Sequence, residues 1–427
     1  MKFMEEKAKY FIDNLSKGSV RRFKMMIKWM ILALICGVGI GFVGIAFLYS
    51  VRQVTDFRMA HGWIIWLLPF CGLLIMLIYD KFANDDHDRG TNLVLMAILT
   101  EEKIPLNMTP IIFVSTILTH LFGGSAGREG AALQIGGSLG EFFGRLLRFD
   151  EADRKIAIMC GMSAAFSALL GTPLAATIFA MEVVTVGIMQ YTALVPCAIS
   201  ALTAHYLAVH FGFESMHFTI TDIPGASIPT FIIIGILGIL CAVLSMVFCS
   251  LLQQSHTVFV NVIKRKYRRI FLGGLVIAVL TWLIGNQDYN GAGVEVIARA
   301  LQGDVVWYVF ILKIIFTVIT LSAGYKGGEI IPTLYVGATF GCAFGTITGF
   351  SPTLSAAVAM GAVFCGVTNS PITSILICFE LFGLEALPYY LIAIAISYML
   401  SGYFGLYRAQ KFVYSKYKAD YLQDRKK

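Results

Sequence analysis

Apolar runs broken by short polar turns set the pattern of this chain. Runs at 26–50, 61–79, 228–252, 270–285, 304–322 and 386–404 come close to or reach the about 20 residues that a membrane-spanning helix needs. Between them lie apolar pieces of roughly 12–18 residues, interrupted by Gly and Pro, which read as tilted or half-spanning helices buried in protein rather than facing lipid. Residues 1–25 are different. They are charged and amphipathic and lack the small-residue pattern of a cleavage site, so they are expected to form a surface helix ahead of the first span. The least apolar internal stretch is 213–227, "FESMHFTITDIPGAS". This predicts an all-α polytopic membrane protein with five segments. They are an amphipathic cytoplasmic segment 1–25, a membrane half 26–212, a linker 213–227, a second membrane half 228–407 and a basic cytoplasmic tail 408–427.

The two halves repeat one another. "SAGREGAALQIGGSLGEFFG" (125–144) and "SAGYKGGEIIPTLYVGATFGCAFG" (322–345) both open Ser-Ala-Gly, cross a polar turn and enter an apolar helix. Downstream, "AAFSALLGTPLAATIFAMEV" (164–183) matches "AVFCGVTNSPITSILICFEL" (362–381), with Pro173 and Glu182 spaced like Pro371 and Glu380. With Ser125 taken as the counterpart of Ser322, Gly127 corresponds to Gly324. Transporters built from repeats place the substrate near mid-membrane where the repeats meet. Both polar turns precede helix N-termini, which carry partial positive charge and free N–H groups. Two such termini converging make a site for a small anion.

Composition sharpens this reading. The chain is 57% hydrophobic and 14% charged, against about 25% charged in soluble domains. The formal charge of +7 gathers at Lys17, Arg21, Arg22 and Lys24, at "KRKYRR" (264–269), and at Arg408, Lys411, Lys416, Lys418 and Arg425. The positive-inside rule puts these clusters, and both chain ends, in the cytoplasm, so the charge reports topology rather than nucleic-acid binding. The nine cysteines lie almost all in apolar runs and form no CxxC pair, which predicts reduced core residues. The histidines form no metal-ligand pattern; His205 and His210 are the nearest pair and lack a third ligand. No metal and no cofactor is expected. Ser125 has His120 and Glu129 nearby in sequence, but nothing there orients a base, so an enzyme is not expected.

The charged pair Arg128–Glu129 among glycines is therefore the chemical centre of the sequence, since intramembrane charges are rare and usually functional. Its segment, "GREGAALQIGG", resembles the first signature of the CLC family of chloride channels and proton-coupled anion transporters. "KGGEIIP" resembles the family's second anion loop, and "GLYRAQK" (405–411) resembles the segment that offers a tyrosine hydroxyl to the anion. The resemblance covers roughly 30–415 and is to short prokaryotic members, with no C-terminal regulatory domain expected. It implies two antiparallel, inverted-topology repeats, a homodimer with one pore per subunit, and a plasma-membrane location.

It also implies roles. Glu129 would be the outer gate, a carboxylate that occupies the anion site and swings away when protonated. Thr91, the backbone N–H groups of Ile330 and Ile331, and Tyr407 would hold the anion. Gly127, Gly130, Gly327, Gly328 and Pro332 would shape the loops. Arg128 would act as a local electrostatic and positioning residue, pairing poorly with Glu129 because adjacent helical residues diverge. Two departures matter. The family's Gly-Ser-Gly-x-Pro loop is replaced by "RGTNLVL" (89–95), with Thr91 in the serine's place. An inner glutamate common in chloride-type exchangers is replaced by Val183, while Glu182 next to it, with its repeat partner Glu380, is expected to be structural or water-lining. Chloride is the first-choice anion, as a channel or in exchange for protons. The family's fluoride/proton branch is the alternative, resembled through the short length, the altered first loop and "GGE". That branch places methionine or an amide near Thr91, where Asn92 is adjacent, and threonine near Ile331. A secondary transporter of another small solute is the reading from outside the family.

Overall fold

The computed structural model describes residues 2–83, 90–100, 102–213, 216–418 and 420–422. Arg89 and Arg425, cited above, lie outside them. The first half contains α1 (Lys2–Ala60), α2 (Leu68–Phe82), α3 (Thr91–Leu99), α4 (Met108–Leu121), α5 (Glu129–Leu146), α6 (Glu151–Leu170), α7 (Pro173–Glu182), the short strand β1 (Thr185–Val186) and α8 (Leu194–His210). The second contains α9 (Ile228–Val262), α10 (Lys266–Ile284), α11 (Val294–Leu301), α12 (Val309–Ala323), α13 (Ile330–Thr348), α14 (Pro352–Thr368), α15 (Pro371–Phe382) and α16 (Leu387–Leu400), followed by β2 (Lys411–Phe412). Among the described residues, six helical segments are long and apolar enough to cross a membrane, alongside several shorter apolar helices.

The helix starts follow from local chemistry. Asp150, Ser227 and Ser351 each accept a hydrogen bond from the third residue of the helix they begin. Pro173, Pro352 and Pro371 occupy first positions, where no N–H is missed. α1 is longer than its apolar run. No break separates residues 2–25 from the span, and one helix continues through both. Its 39-residue apolar part would be about 58 Å long, well beyond the hydrocarbon thickness of about 30 Å.

The halves match helix for helix, α1 with α9 through α8 with α16. Small residues let the equivalent pairs approach closely. Gly136 and Gly140 of α5 lie against the backbone of Gly161 and Ala157 of α6, where a Cβ would collide. Gly337 and Gly341 of α13 lie in the same way against Ala359 and Ser355 of α14. Serine hydroxyls add matching interhelical bonds: Ser167 to Ala201 O at 2.8 Å in the first half and Ser397 to Ala362 O at 2.7 Å in the second.

This correspondence corrects the repeat register read from identity. Gly127 matches Gly328, not Gly324: the two pair across the centre as an antiparallel bridge. Ser322 and Ala323 are still in α12 and Gly324 is its left-handed cap, whereas Ser125 and Ala126 lie in the turn after α4. The shared Ser-Ala-Gly is coincidental, because the turn in the first half carries those three letters later relative to the preceding helix.

A reciprocal exchange locks the halves together. Glu182, ending α7, accepts from Ile372 N at 3.0 Å, Thr373 N at 2.8 Å and Thr373 Oγ1 at 2.6 Å, capping α15. Glu380 of α15 accepts from Leu174 N and Ala175 N at 2.8 Å each, capping α7. Carboxylates at helix N-termini are favourable, and each meets orphan N–H groups. Glu182 is thus structural, with its oxygens already engaged.

Candidate anion site

The centre is a knot of two backbone turns. Gly127 N donates to Gly328 O at 2.6 Å, and Gly328 N donates to Gly127 O at 2.7 Å. Only residues without Cβ fit there: one on Gly130 would lie 2.9 Å from Gly328 Cα, below any real contact. From this knot α5 and α13 depart, and neither start is capped by a side chain. The first intrahelical bonds are Ala132 N to Arg128 O and Thr333 N to Glu329 O. The N–H groups of Glu129, Gly130, Ala131, Ile330 and Ile331 precede those bonds and belong to the orphan set, while Pro332 brings no N–H at all. α3 adds a third uncapped start, entered through Gly90 at φ +58°, a left-handed geometry that favours glycine. Contrast α6, α9 and α14, which close with side chains, and α7 and α15, which the glutamates cap. Other helices also begin without a side-chain cap; the starts of α5 and α13 differ in that the Gly127–Gly328 bridge brings the two together.

Two carboxylates reach the knot. Glu129 is fully buried. Its Oε2 accepts from Arg128 N at 3.1 Å and lies where a Cβ on Gly127 would meet it at 2.9 Å. Its Oε1 has no hydrogen bond and lies 3.5 Å from Arg128 Nε. Glu329 approaches from the other face: a Cβ on Gly130 would be 3.4 Å both from Glu329 Oε2 and from Thr91 Oγ1. The Tyr407 hydroxyl is buried with no hydrogen-bond partner, and Glu329 and Glu129 are among the charges that act on it. A buried phenol without a partner is an unfilled donor. Orphan N–H groups at helix starts, a tyrosine hydroxyl without a partner and a buried carboxylate are groups that could hold a small anion.

The sequence-derived candidates meet here, with qualifications. Glu129, Gly127, Gly130, Gly328 and Pro332 surround the knot, Ile330 and Ile331 begin α13 beside it, and Tyr407 has Glu329 and Glu129 as neighbours. A Cβ on Gly127 would lie 3.0 Å from Pro332 Cδ. Gly327 packs against Ala126. The Thr91 hydroxyl faces Gly130 O at 3.4 Å, a long contact that leaves it close to the site without committing its proton. Arg128 does contact Glu129, contrary to the expectation from helical divergence, because Arg128 is the N-cap and not yet in the helix. Glu329 is the residue that motif reading passed over. "KGGEIIP" directed attention to its backbone, yet it carries a carboxylate in an apolar half-helix start, the same signal that marked Glu129. Asn92 was noted only as a neighbour; its Oδ1 accepts from Ala409 N at 3.0 Å and ties the first loop to the tyrosine segment.

A cavity of about 610 Å³ leads to Glu329 and is lined by Asn92, Gln134, His256, Arg269, Lys326 and Arg408 among others. Cationic lining raises the local concentration of anions at its mouth.

Matched halves that bring two helix starts together beside buried carboxylates are the architecture of a membrane transporter with a site suited to anions. The chain belongs to the CLC family: the family model described as voltage gated chloride channel matches residues 71–402. It is 34% identical over 397 residues to a chloride/fluoride channel protein of Pseudomonas syringae pv. tomato, covering 91% of this chain and 88% of that one. Its fold is similar to the crystal structure of a CLC-type fluoride/proton antiporter, with TM-score 0.87 and 31% identity over 91% of this chain and 98% of that one. The fold of a slow cyanobacterial Cl-/H+ antiporter is also similar, with TM-score 0.77 and 20% identity over 87% of this chain and 94% of that one. Members are channels and transporters rather than enzymes, and the function of this chain is transmembrane anion transport.

Proposed function

We propose that this chain exchanges a small anion, fluoride ahead of chloride, for protons across the plasma membrane, with both chain ends cytoplasmic. The observation that carries the exchange is the buried Glu129 carboxylate at uncapped helix starts. While ionised, it fills the place that an anion would take. On protonation it loses its charge and yields that place, so proton arrival and anion entry are linked. Glu329, across Gly130 and open to the basic cavity, is the second proton acceptor, and stands in for the inner carboxylate that Val183 does not provide. The anion is held by the N–H groups of Ile330 and Ile331 and by the Tyr407 hydroxyl, with Thr91 beside it. Fluoride moves ahead of chloride, reversing the order read from sequence. The two relatives above 30% identity named above carry fluoride in their descriptions, and Asn92 supplies an amide at the altered first loop. The basic clusters at 264–269 and around Arg408 support the cytoplasmic placement. The family resemblance supports a homodimer with one pore per subunit; chemical crosslinking in native membranes should give dimers, and monomers alone would refute it.

The deciding measurement is anion efflux from proteoliposomes with bulk pH recorded. Fluoride efflux should drive protons inward against their gradient, faster than chloride does. Anion flux with no proton movement would make the protein a channel. Flux that persists when every small anion is replaced by a large one would mean a cation or another solute.

A further inference from the structure

Tyr407 lies in an irregular stretch between α16 and β2, and its buried hydroxyl, without a hydrogen-bond partner, has Glu329 and Glu129 as neighbours. Side-chain amides hold that stretch in place. Asn369 Nδ2 donates to Phe404 O at 3.0 Å and to Gln410 Oε1 at 2.9 Å. Gln410 Nε2 donates to Val183 O and to Thr368 O at 2.8 Å each. Gln253 Nε2 donates to Gly405 O at 2.7 Å, and Leu406 N donates to Val367 O at 2.8 Å. Asn369 and Gln410 are both buried.

Gln410 is the centre of this arrangement. Both of its N–H groups donate and its oxygen accepts one bond. Its two acceptors are the carbonyls at the end of α14 and just past the end of α7, so it clamps one helix of each half. It lies three residues beyond Tyr407, and Gln410 N donates to Tyr407 O at 3.2 Å. Asn369, the left-handed cap of α14 at φ +58°, aligns it, and Lys416 Nζ in turn donates to Asn369 Oδ1.

We propose that Gln410 is a positioning residue that sets the distance between the Tyr407 hydroxyl and the helix starts, and so discriminates between small anions by size. This rests on the anion-transport reading above. A site held rigidly at one radius favours the anion that fits it; one that relaxes accepts a larger anion with less penalty. Gln410→Asn keeps the carboxamide but withdraws it by one methylene, so the clamp slackens while the buried chemistry is preserved. In proteoliposomes of the full chain, the ratio of fluoride to chloride initial rates should fall about five-fold, the scale of one hydrogen bond's misalignment. In a Tyr407→Phe background the same substitution should change the ratio less than about two-fold, because the hydroxyl it acts through is gone. A ratio unmoved in Gln410→Asn, or moved equally in both backgrounds, would overturn the proposal and leave a purely structural clamp. If Gln410→Asn does not fold, Gln253→Met, which releases Gly405 from the other side, should lower the ratio in the same direction, and an unchanged ratio there would overturn it equally. A wild-type chain that moves neither anion would remove the transport reading and this proposal with it; normal wild-type flux with an unmoved ratio would strike only the clamp.

Discussion

The starts of α5 and α13 share a backbone and differ in chemistry. Gly127 and Gly328 pair across the centre, and the next residue in each half is the helix N-cap. In the first half that N-cap is Arg128; in the second it is Glu329. The first helical residue is Glu129 in one and Ile330 in the other. Duplication thus supplies two N-termini aimed at one point, and substitution makes the two approaches unlike. One side has a carboxylate tethered beside its own guanidinium. The other has a single carboxylate at the end of a basic cavity. A symmetric knot would treat the two faces of the membrane alike; this one does not, and that asymmetry is what lets the protonation of one residue mean something different from the protonation of the other.

The comparison breaks most completely if the knot itself is spoiled. Gly130→Ala would put a methyl 2.9 Å from Gly328 Cα, backbone that cannot give way without parting the two turns. Anion flux should fall about 100-fold or more, since misplacement by an ångström costs that much in a preorganised site. Flux within three-fold of wild type would mean that the bridge is dispensable.

Next in size are the two acids. Glu129→Gln mimics the protonated gate. Anion flux should continue, its dependence on external pH should disappear, and proton movement per anion should drop at least about ten-fold. Glu329→Gln should also reduce proton movement about ten-fold, while the response to external pH survives because Glu129 remains. Identical pH profiles for the two variants would show that the faces are not distinguished, and would sink the assignment of separate outer and inner acids. Tyr407→Phe should weaken anion affinity about five- to ten-fold through the loss of one hydrogen bond, with coupling retained; affinity equal to wild type would take the hydroxyl out of the site.

How much of this was legible beforehand depended on the range of the interaction. The apolar runs predicted a polytopic helical protein because hydropathy is local. The repeat was visible through Pro173 and Glu182 with Pro371 and Glu380, since both pairs obey short-range rules of helix starts and ends. Its register near the centre was misread, because three identical letters outweighed the helix lengths that only the fold displays. Glu129 stood out as a charge in apolar surroundings. Glu329 satisfied the same criterion and was hidden by a motif that concerns backbone. Gln410 stood inside "GLYRAQK", but nothing marked it out there, because its partners Val183, Thr368 and Asn369 are distant in sequence.

The smallest expected effect concerns the reciprocal caps, and it tests whether buried carboxylates here divide into transporting and structural kinds. Glu182 accepts three hydrogen bonds and Glu380 two, each across the interface between halves. Glu182→Gln keeps the shape but turns one acceptor into a donor facing N–H groups, which should cost about 1–3 kcal/mol of stability. Glu380 is less enclosed, so Glu380→Gln should cost less, about 1 kcal/mol. Both should lower the thermal unfolding midpoint in detergent, Glu182→Gln the more, with the number of protons moved per anion unchanged. That ordering follows from the caps alone. If Glu182→Gln left the midpoint in place and altered the proton count, its oxygens would be handling protons in transit, and the division between Glu129 with Glu329 on one hand and Glu182 with Glu380 on the other would fail.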